Sequence, residues 1–328
     1  MLMVLDRREL VVRLKDGVVQ VFHEGELLQR AAVNLLDMLV VYGNPLVESS
    51  VWRALAQVGV PAVVMASRGT QATAFLGEGL ATQLQLRRLQ YQCAEDRQHA
   101  LCMARWFLVR KLLSYRVPFS LLHPHLEEGQ KSRFLENLEM RIQQLHQAQQ
   151  LDSFLGIEGQ MSRDWFQLLV SVLPVQWKFT GRSRQPPRDP FNALLSLGYT
   201  VALAEIRQVL LSEGLDPAFG FLHQPYPARD SLALDVLEIF RSGVDVFALG
   251  LLSELNPDEF YYREQEGCRL SKVARPVFYQ DWAVFRSVWP RPLQAMTSVL
   301  ETATLREQVR GQVSQMRKVM EWMHDGEV

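Results

Sequence analysis

Acidic and basic side chains share one face of a helix that begins near residue 231. At about 100° per residue, Asp235, Glu238, Arg241, Ser242 and Asp245 fall on one side of this helix and apolar side chains fall on the other. Asp235 and Glu238 are three residues apart and therefore lie on the same face. Two neighbouring carboxylates and a histidine form a ligand set that suits Mg²⁺ or Mn²⁺. A solvated polar face has the same periodicity, and periodicity alone favours that plainer interpretation.

Two further candidate ligands, His223 and Glu158, lie outside this helix. His223 ends the loop-like segment GLDPAFGFLH, which should bring it beside the N-terminus of the helix. A histidine after an apolar Phe-Leu pair is more often a hydrogen-bonded core residue than a ligand. Glu158 lies in LGIEGQMSRDWF, between two glycines and beside an apolar run, where a carboxylate is out of place. The alternative for Glu158 is a charge at a helix end, and neither residue establishes a site by itself.

A narrow polar stripe occurs in the helix that follows Asp189-Pro190. Asn192, Ser196 and Tyr199 fall at positions i, i+4 and i+7 of an otherwise apolar segment. Such a stripe either forms hydrogen bonds inside the core or faces a site. The sequence supports the two interpretations equally.

Basic residues cluster in two segments that could contact DNA. Residues 85–116 contain seven Lys or Arg against two Asp or Glu, a local charge of +5, with Trp and Tyr interleaved. Basic side chains contact phosphates and aromatic rings stack on exposed bases, although an ordinary solvated helix face is as good an interpretation. The second cluster has no acidic residue and consists of Lys178, Arg182, Arg184 and Arg188.

The composition is that of a globular protein without a general nucleic-acid signature. The chain has 328 residues, 48% of them hydrophobic, and its 35 Lys and Arg against 36 Asp and Glu give a net charge of -1. Three cysteines at wide spacings fit neither a disulfide framework nor a zinc site. The first residues do not form an apolar leader, and no apolar run is expected to reach the ~18 residues of a membrane span. A cytosolic location is expected.

The secondary-structure signals divide the chain in two. Residues 1–80 are predicted to form a small β-rich domain with one helix, in which Asp16-Gly17 between two apolar runs indicates a hairpin. Residues 81–328 are predicted to form a larger, mainly α-helical domain. Its helix boundaries are marked by Asp189-Pro190 at one end and Gly214 at the other, which predicts a long helix over residues 190–213. The expected fold class is therefore α+β.

Four segments, in order, resemble the CRISPR-associated integrase family, the first of the Cas proteins (Cas-one), and the resemblance covers nearly the whole chain. In the first domain the matching segment is VVYGNPLVESSVWRALAQVGVPAVVMASRG. The others are the glycine-flanked glutamate segment LGIEGQMSRDWF, the block GRSRQPPRDPFNALLSLGY, and GLDPAFGFLH followed by SLALDVLEIFR.

This resemblance implies a role for each candidate residue. The family's metal-binding glutamate falls on Glu158, its histidine on His223 and its helical acidic ligand on Glu238. Asp235 is the acidic residue one turn earlier and belongs to the same candidate metal set, and the resemblance leaves open which of Asp235 and Glu238 contacts the metal directly. The implied cofactor is Mg²⁺ or Mn²⁺. Asn192 and Tyr199 match positions near the site, and Arg182 and Arg184 match basic positions expected to meet DNA.

The implied reaction is transesterification, in which the 3′-hydroxyl of a short foreign DNA fragment, the prespacer, attacks a phosphodiester at the edge of a CRISPR repeat. The implied partners are double-stranded DNA, a second copy of the chain bound largely through the β-rich domain, and the small Cas-two protein. Two alternatives use the same residues: a metal-dependent endonuclease acting on branched or repair intermediates, and a catalytically silent DNA-binding scaffold.

Overall fold

The computed structural model describes residues 1–7, 9–65, 73–76, 83–184, 186–289 and 303–325. A strand-rich region comes first and a largely helical region follows, which confirms the predicted α+β class. The elements of the first region are β1 (Leu2–Leu5), β2 (Leu10–Lys15), β3 (Val18–His23), β4 (Glu26–Ala32), β5 (Met38–Tyr42), β6 (Leu46–Val47), α1 (Ser49–Gln57), β7 (Ala62–Met65) and β8 (Ala74–Leu76).

The strands form two four-stranded sheets. One has the order β1-β5-β7-β8 with parallel pairing except between β7 and β8, and the other has the order β4-β3-β2-β6. The predicted hairpin joins β2 to β3, with Lys15 opposite Val18. Asp16 and Gly17 both have positive φ, 50° and 72°, as a two-residue turn with the twist of the flanking strands requires.

The first sheet buries both of its faces. Met3, Leu39 and Val41 pack into a core shared with Val12 and Val19 of the second sheet. Residues at alternate positions of the same strands, such as Met38, Val40 and Val63, belong instead to the core of the helical region. Because side chains alternate across a strand, this sheet joins the two regions through apolar contacts on both sides.

The helical region, where the structure describes it, consists mainly of long helices and contains one short β-hairpin. Its elements are α2 (Leu84–Glu95), α3 (Arg97–Ser114), α4 (Arg116–Leu122), α5 (Glu128–Gln147), α6 (Leu151–Val172), α7 (Pro190–Ser212), α8 (Ser231–Gly250), β9 (Phe260–Arg263), β10 (Gly267–Leu270), α9 (Arg275–Phe285) and α10 (Leu305–His324). The predicted boundary between the two domains, at residues 80 and 81, lies outside the described residues, and the division itself stays a prediction.

Helices α7 and α8 lie at the centre of this region. The side chain of Asp189 caps α7 by accepting a hydrogen bond from the backbone of Asn192 (2.8 Å), and Gly214 follows its end with φ 83°. The predicted helix over residues 190–213 is thus confirmed, and α8 begins at Ser231 as expected. Helix α8 packs against α7, α3 and α4. This central position places the polar face of α8 inside the protein.

Helix α7 corrects one expectation about apolar runs. By length and composition its 23 residues could cross a membrane, contrary to the expectation that no run would be long enough. However, 72% of its most apolar window is buried inside the protein. Burial on every side explains the composition, because a helix at the centre of a large core is apolar all round.

Candidate active site

Glu158 and Glu238 meet at one buried ammonium group. The Nζ atom of Lys111 donates a hydrogen bond to Oε1 of Glu158 and lies 2.6 Å from Oε2 of Glu238. The side chains of Lys111 and Glu238 are 2% and 5% exposed, whereas that of Glu158 is 18% exposed. Glu158 is therefore the member of this group that is most accessible to solvent.

Three helices supply these side chains. Lys111 lies on α3, Glu158 on α6 and Glu238 on α8, and α3 packs against both of the other helices. Phe107 and Leu112 are fully buried on α3 and draw Lys111, which lies beside them, into the core. Burial of an ammonium costs free energy unless the ammonium is paired. The two carboxylates supply this pairing for Lys111.

The surroundings of Glu158 differ from the helix-end charge considered from sequence. The residue lies in the middle of α6, and its Oε1 also accepts a hydrogen bond from Ser162 one turn later (2.7 Å). A Cβ atom placed on Gly156 or Gly159 would meet nothing within 4 Å. The two glycines thus leave the surface of α6 open beside the carboxylate.

Mutual attraction keeps the three groups charged. Burial opposes ionisation of Glu238, yet the charges of Arg241 and Lys111 hold its pKa far below the ordinary value. Burial likewise opposes ionisation of Glu158, but the charge of Lys111 lowers the pKa of that carboxyl. Burial disfavours the Lys111 ammonium, and Glu238 is the largest of the influences that nevertheless raise its pKa.

Arg241 forms the second cation of the site. Its Nε lies 2.9 Å from Oε2 of Glu238, and its guanidinium carbon lies 4.8 Å from the centre of the Tyr199 ring. The guanidinium of Arg182 lies 5.4 Å from the same ring. Tyr199 is therefore near two guanidinium groups and is not a free hydroxyl at the surface.

Asp245 lies two turns after Glu238 and is bonded by neutral donors. It accepts hydrogen bonds from the hydroxyl of Tyr199 and from Nε1 of Trp165 (2.8 Å). Burial raises the pKa of Asp245 to about 6, against the hydrogen bonds that favour its ionised form. This carboxyl therefore titrates near physiological pH, unlike Glu238.

Asp235 fastens the loop that carries His223. Its Oδ2 accepts hydrogen bonds from the backbone of Phe221 (2.6 Å) and Leu222 (3.0 Å), and its Oδ1 accepts one from the backbone of His223 (2.9 Å). The same Oδ1 lies 2.7 Å from Nδ1 of the His223 ring. Asp235 is fully buried, and its bond to Nδ1 orients the ring and leaves Nε2 out of this contact. Its predicted direct contact with metal stays a prediction.

The polar stripe of α7 anchors the basic loop at residues 178–188. Oδ1 of Asn192 accepts from Nη1 of Arg182 (2.8 Å) and from the backbone of Ser183 (2.9 Å), while its Nδ2 donates to the carbonyl of Gly181 (2.8 Å). Ser196 accepts from Nη2 of Arg182 (3.2 Å). The stripe thus forms internal hydrogen bonds, as one of the two interpretations required.

The four basic residues of this loop differ in accessibility. Lys178, Arg184 and Arg188 are exposed, whereas Arg182 is partly buried by its bonds to α7. Arg184 lines a cavity of about 360 Å³ beside Glu158 and also a second cavity of about 420 Å³ that reaches towards the strand-rich region. Contact of these residues with DNA stays a prediction.

The other predicted DNA surface, residues 85–116, is not continuous. Arg87 and Lys111 are 6% and 2% exposed and lie in the interior. Arg105 donates hydrogen bonds to the carbonyl groups of Leu145 and Ala148, both at 2.9 Å. Several of the charges counted from sequence therefore hold helices together.

The donor types around Lys111 suit a divalent metal ion. Two carboxylates already converge on one cation, and His223 is close enough for its charge to act on Glu238. Carboxylate oxygen and imidazole are ligands for Mg²⁺ and Mn²⁺. With the side chains as they stand, no three His, Cys, Asp or Glu in the described part of the chain form a ligating group. Glu158, Glu238 and His223 would hold the ion after movement of the ammonium.

Sequence reasoning placed the acidic residues but missed their counter-ions. Lys111 belongs to the predicted basic segment 85–116, and its position within the apolar run WFLVRKLL is the signal of burial. Arg241 was placed on the polar face of α8 without a role. The solvated-face interpretation of α8 is wrong, because Asp235, Glu238 and Asp245 are buried.

Comparisons with known proteins identify the family. The chain matches the family model described as CRISPR associated protein Cas1 over residues 3–283. It is 33% identical over 256 residues to CRISPR-associated endonuclease Cas1 1 of Chlorobaculum tepidum, which covers 75% of this chain and 74% of that protein.

Two solved structures have the same fold at low sequence identity. A casposase bound to integration product superposes with a TM-score of 0.81 at 19% identity, covering 97% of this chain and 90% of that one. A Cas6-RT-Cas1–Cas2 complex superposes with a TM-score of 0.79 at 21% identity, covering 98% of this chain and 35% of that one. Since the family model spans most of the chain, the protein belongs to the Cas1 family, the endonucleases and integrases of CRISPR adaptation.

Proposed function

We propose that this protein is a metal-dependent DNA integrase that joins the 3′-hydroxyl ends of short foreign DNA fragments to the repeat of a CRISPR array. The observation that carries the proposal is the convergence of Glu158 and Glu238, from separate helices, on one cation at the edge of a cavity. Asp235 orients the ring of His223, and Arg182 and Arg184 of the basic loop line the same cavity as Glu158. A site of this kind stabilises negative charge where a phosphodiester reacts.

In the reaction, the 3′-oxygen of the fragment forms a bond to phosphorus while the bond from phosphorus to the leaving 3′-oxygen of the repeat strand breaks. The attacking hydroxyl loses a proton and the leaving oxygen gains one. When no metal ion is bound, Nε2 of His223 would instead donate a proton to the leaving oxygen, because Asp235 engages Nδ1 and fixes the ring. Arg184 supplies positive charge for the DNA backbone at the cavity beside Glu158.

A divalent ion, Mg²⁺ or Mn²⁺, would be held by Glu158, Glu238 and His223, where it would lower the pKa of the attacking hydroxyl and offset charge on phosphorus. Asp235 would position this ligand set by holding the His223 loop against α8. Removal of a single ligand should therefore affect chemistry far more than DNA binding.

The proposed assembly is a homodimer formed largely through the strand-rich region, with two dimers flanking a dimer of the Cas2 protein. The similarity to a chain of a Cas6-RT-Cas1–Cas2 complex supports the Cas2 partner. Two sites related by symmetry would suit the joining of both ends of one fragment. The cellular location proposed for this assembly is the prokaryotic cytoplasm.

The direct test is an integration assay with Glu158→Ala, purified Cas2 partner, Mn²⁺ and a repeat-bearing plasmid. Joining of a labelled duplex should fall below about 1% of the wild-type rate, because an electrostatic contribution to the transition state is lost. DNA affinity should change little, since it rests on Lys and Arg outside the metal ligands. A matched control is Glu139→Ala, which removes an exposed glutamate on α5.

Full joining activity by Glu158→Ala would refute the assignment. The product separates the alternatives that use the same residues. Nicked DNA without a joined product would indicate an endonuclease acting on branched or repair intermediates, a reaction consistent with the word endonuclease in the relative's name. Absence of any Mn²⁺-dependent product from the wild-type protein would indicate a DNA-binding scaffold.

A further inference from the structure

Lys111 occupies the place between the two carboxylates where a metal ion would bind. Its ammonium contacts Oε1 of Glu158 and Oε2 of Glu238, and its side chain is 2% exposed. In the described part of the chain, the polar contacts of the ammonium are these two carboxylates. Lys111 therefore competes with any cation for the same oxygen atoms.

The charges that touch one another in this cluster already balance. Glu158 and Glu238 contribute two negative charges, and Lys111 and Arg241 contribute two positive charges. A divalent ion added to this set would leave two uncompensated positive charges in a largely buried place. Because an unpaired buried charge is costly, the ion needs either the departure of a cation or the arrival of an anion. The anion that the proposed reaction brings is a DNA phosphate.

Of the two cations, Lys111 is the one that can exchange partners. The guanidinium of Arg241 is held both by Glu238 and by the ring of Tyr199. A lysine instead carries a point charge with three rotatable donors on a flexible stem, so it can pass from one oxygen to another. A phosphate entering beside the partly exposed Glu158 would come within reach of this ammonium.

We propose that Lys111 is an exchangeable counter-ion that couples metal binding to DNA binding. In the free protein it keeps Glu158 and Glu238 together. When DNA enters, the ammonium transfers to a phosphate oxygen and the carboxylates pass to the divalent ion. This inference rests on the proposed function, because it requires metal-dependent chemistry at the pair. Lys111 is thus a positioning residue, and coupling of the two ligands must be reciprocal.

Calorimetric Mn²⁺ titrations of the full-length protein test this coupling, alone and with a saturating duplex whose 3′ ends are dideoxy-terminated to prevent joining. The wild-type protein should bind Mn²⁺ at least about tenfold more tightly with DNA than without it. Lys111→Met should bind Mn²⁺ at least about tenfold more tightly than wild type without DNA, and DNA should then add little. Lys111→Arg, which keeps the charge, should restore weak Mn²⁺ binding in the absence of DNA.

The control is Lys131→Met, which removes a lysine paired with exposed Glu128 on α5 and should leave Mn²⁺ binding unchanged. Should Lys111→Met be unstable, its thermal unfolding with and without Mn²⁺ becomes the readout, and Lys111→Gln provides a second neutral variant. Stabilisation by Mn²⁺ greater than in wild type supports the proposal, and equal or smaller stabilisation overturns it.

The remaining outcomes separate the two proposals. Equal or weaker Mn²⁺ affinity in Lys111→Met, or tight Mn²⁺ binding by the free wild-type protein, overturns the role of Lys111 and leaves the metal-dependent integrase standing. Failure of wild type and variant to bind Mn²⁺ in the presence of DNA overturns both.

Discussion

Two buried clusters of charge in this protein are built in different ways. At the junction of the two regions, Glu205 of α7 accepts hydrogen bonds from Nε and Nη2 of Arg286, at 2.7 and 2.9 Å, and lies 3.5 Å from Nε of Arg306. Arg286 also reaches Asp37, which precedes β5 (3.1 Å). In the candidate active site, by contrast, a lysine ammonium lies between two carboxylates.

The difference lies in how far each cation fixes its partners. A planar guanidinium that binds both oxygens of one carboxylate sets distance and orientation, so the junction cluster stabilises one arrangement of the strand-rich and helical regions. An ammonium sets charge but little geometry. Burial and charge alone would class both clusters as structural ion pairs. Two features distinguish the candidate active site from the junction cluster, namely the type of cation and the partly exposed edge at Glu158.

The largest effect should come from disrupting the ion pairs of the junction cluster. Glu205→Gln leaves Arg286 and Arg306 facing a neutral group in a fully buried place, so the free energy of unfolding should fall by about 3–5 kcal/mol. Urea denaturation measures this loss of stability. Mn²⁺ should not reverse it, because the junction cluster does not bind metal in the proposed scheme.

Glu213→Gln is the matched control at the end of the same helix. Glu213 pairs with Arg310, both side chains are at least 41% exposed, and loss of such a pair should cost less than about 1 kcal/mol. An equally small loss of unfolding free energy in Glu205→Gln, or recovery of its stability by Mn²⁺, would remove the distinction between the junction cluster and the candidate active site.

A smaller effect is expected from Asp245, the carboxyl of the site whose direct partners are neutral. Its pKa is raised to about 6 from an unfolded value near 3.8, so the folded state favours the protonated acid. The resulting stabilisation is complete below pH 3.8 and is lost as pH rises through about 6. Relative to Asp245→Asn, the wild-type protein should lose about 2–3 kcal/mol of unfolding free energy between pH 4 and 7.

Chemical denaturation of both proteins at several pH values checks this sign. Glu238 titrates in the opposite direction, since its pKa is lowered, and its contribution is lost only in acid. A wild-type advantage that stays constant or grows from pH 4 to 7 would show that Asp245 is ionised in the folded protein.

The smallest effect is expected from Arg184, the exposed arginine beside Glu158. Arg184→Ala should weaken DNA binding by no more than about tenfold and reduce the slope of log affinity against log salt by about one, because one phosphate contact is lost. Its stability should change by less than about 0.5 kcal/mol. Binding isotherms at two salt concentrations and a denaturation curve measure these quantities.

Arg182→Ala provides the contrast within the same loop. Its guanidinium bonds to Asn192 and Ser196, so its removal should lower the free energy of unfolding by about 1–3 kcal/mol and also weaken DNA binding.

Equal DNA affinity of Arg184→Ala and wild type at both salt concentrations would remove Arg184 from the DNA surface.

Much of the fold follows from local signals in the sequence. Asp16-Gly17 predicted the hairpin because its conformation needs two residues that tolerate positive φ. Asp189-Pro190 and Gly214 predicted the ends of α7 because capping depends on neighbouring residues only. The ordered motifs around Glu158, His223 and Glu238 indicated a common site, and the structure brings Glu158 and Glu238 together.

What the sequence by itself determined is therefore the set of elements and the identity of the acidic residues. Tertiary structure alone decided what each charge does. Lys111 and Glu238 are 127 positions apart, Glu205 and Arg286 are 81 apart, and no local pattern relates them. The physical reason is that burial and pairing of a charge depend on which helices pack together. Only that packing makes Lys111 the counter-ion of the site and Asp235 the anchor of His223.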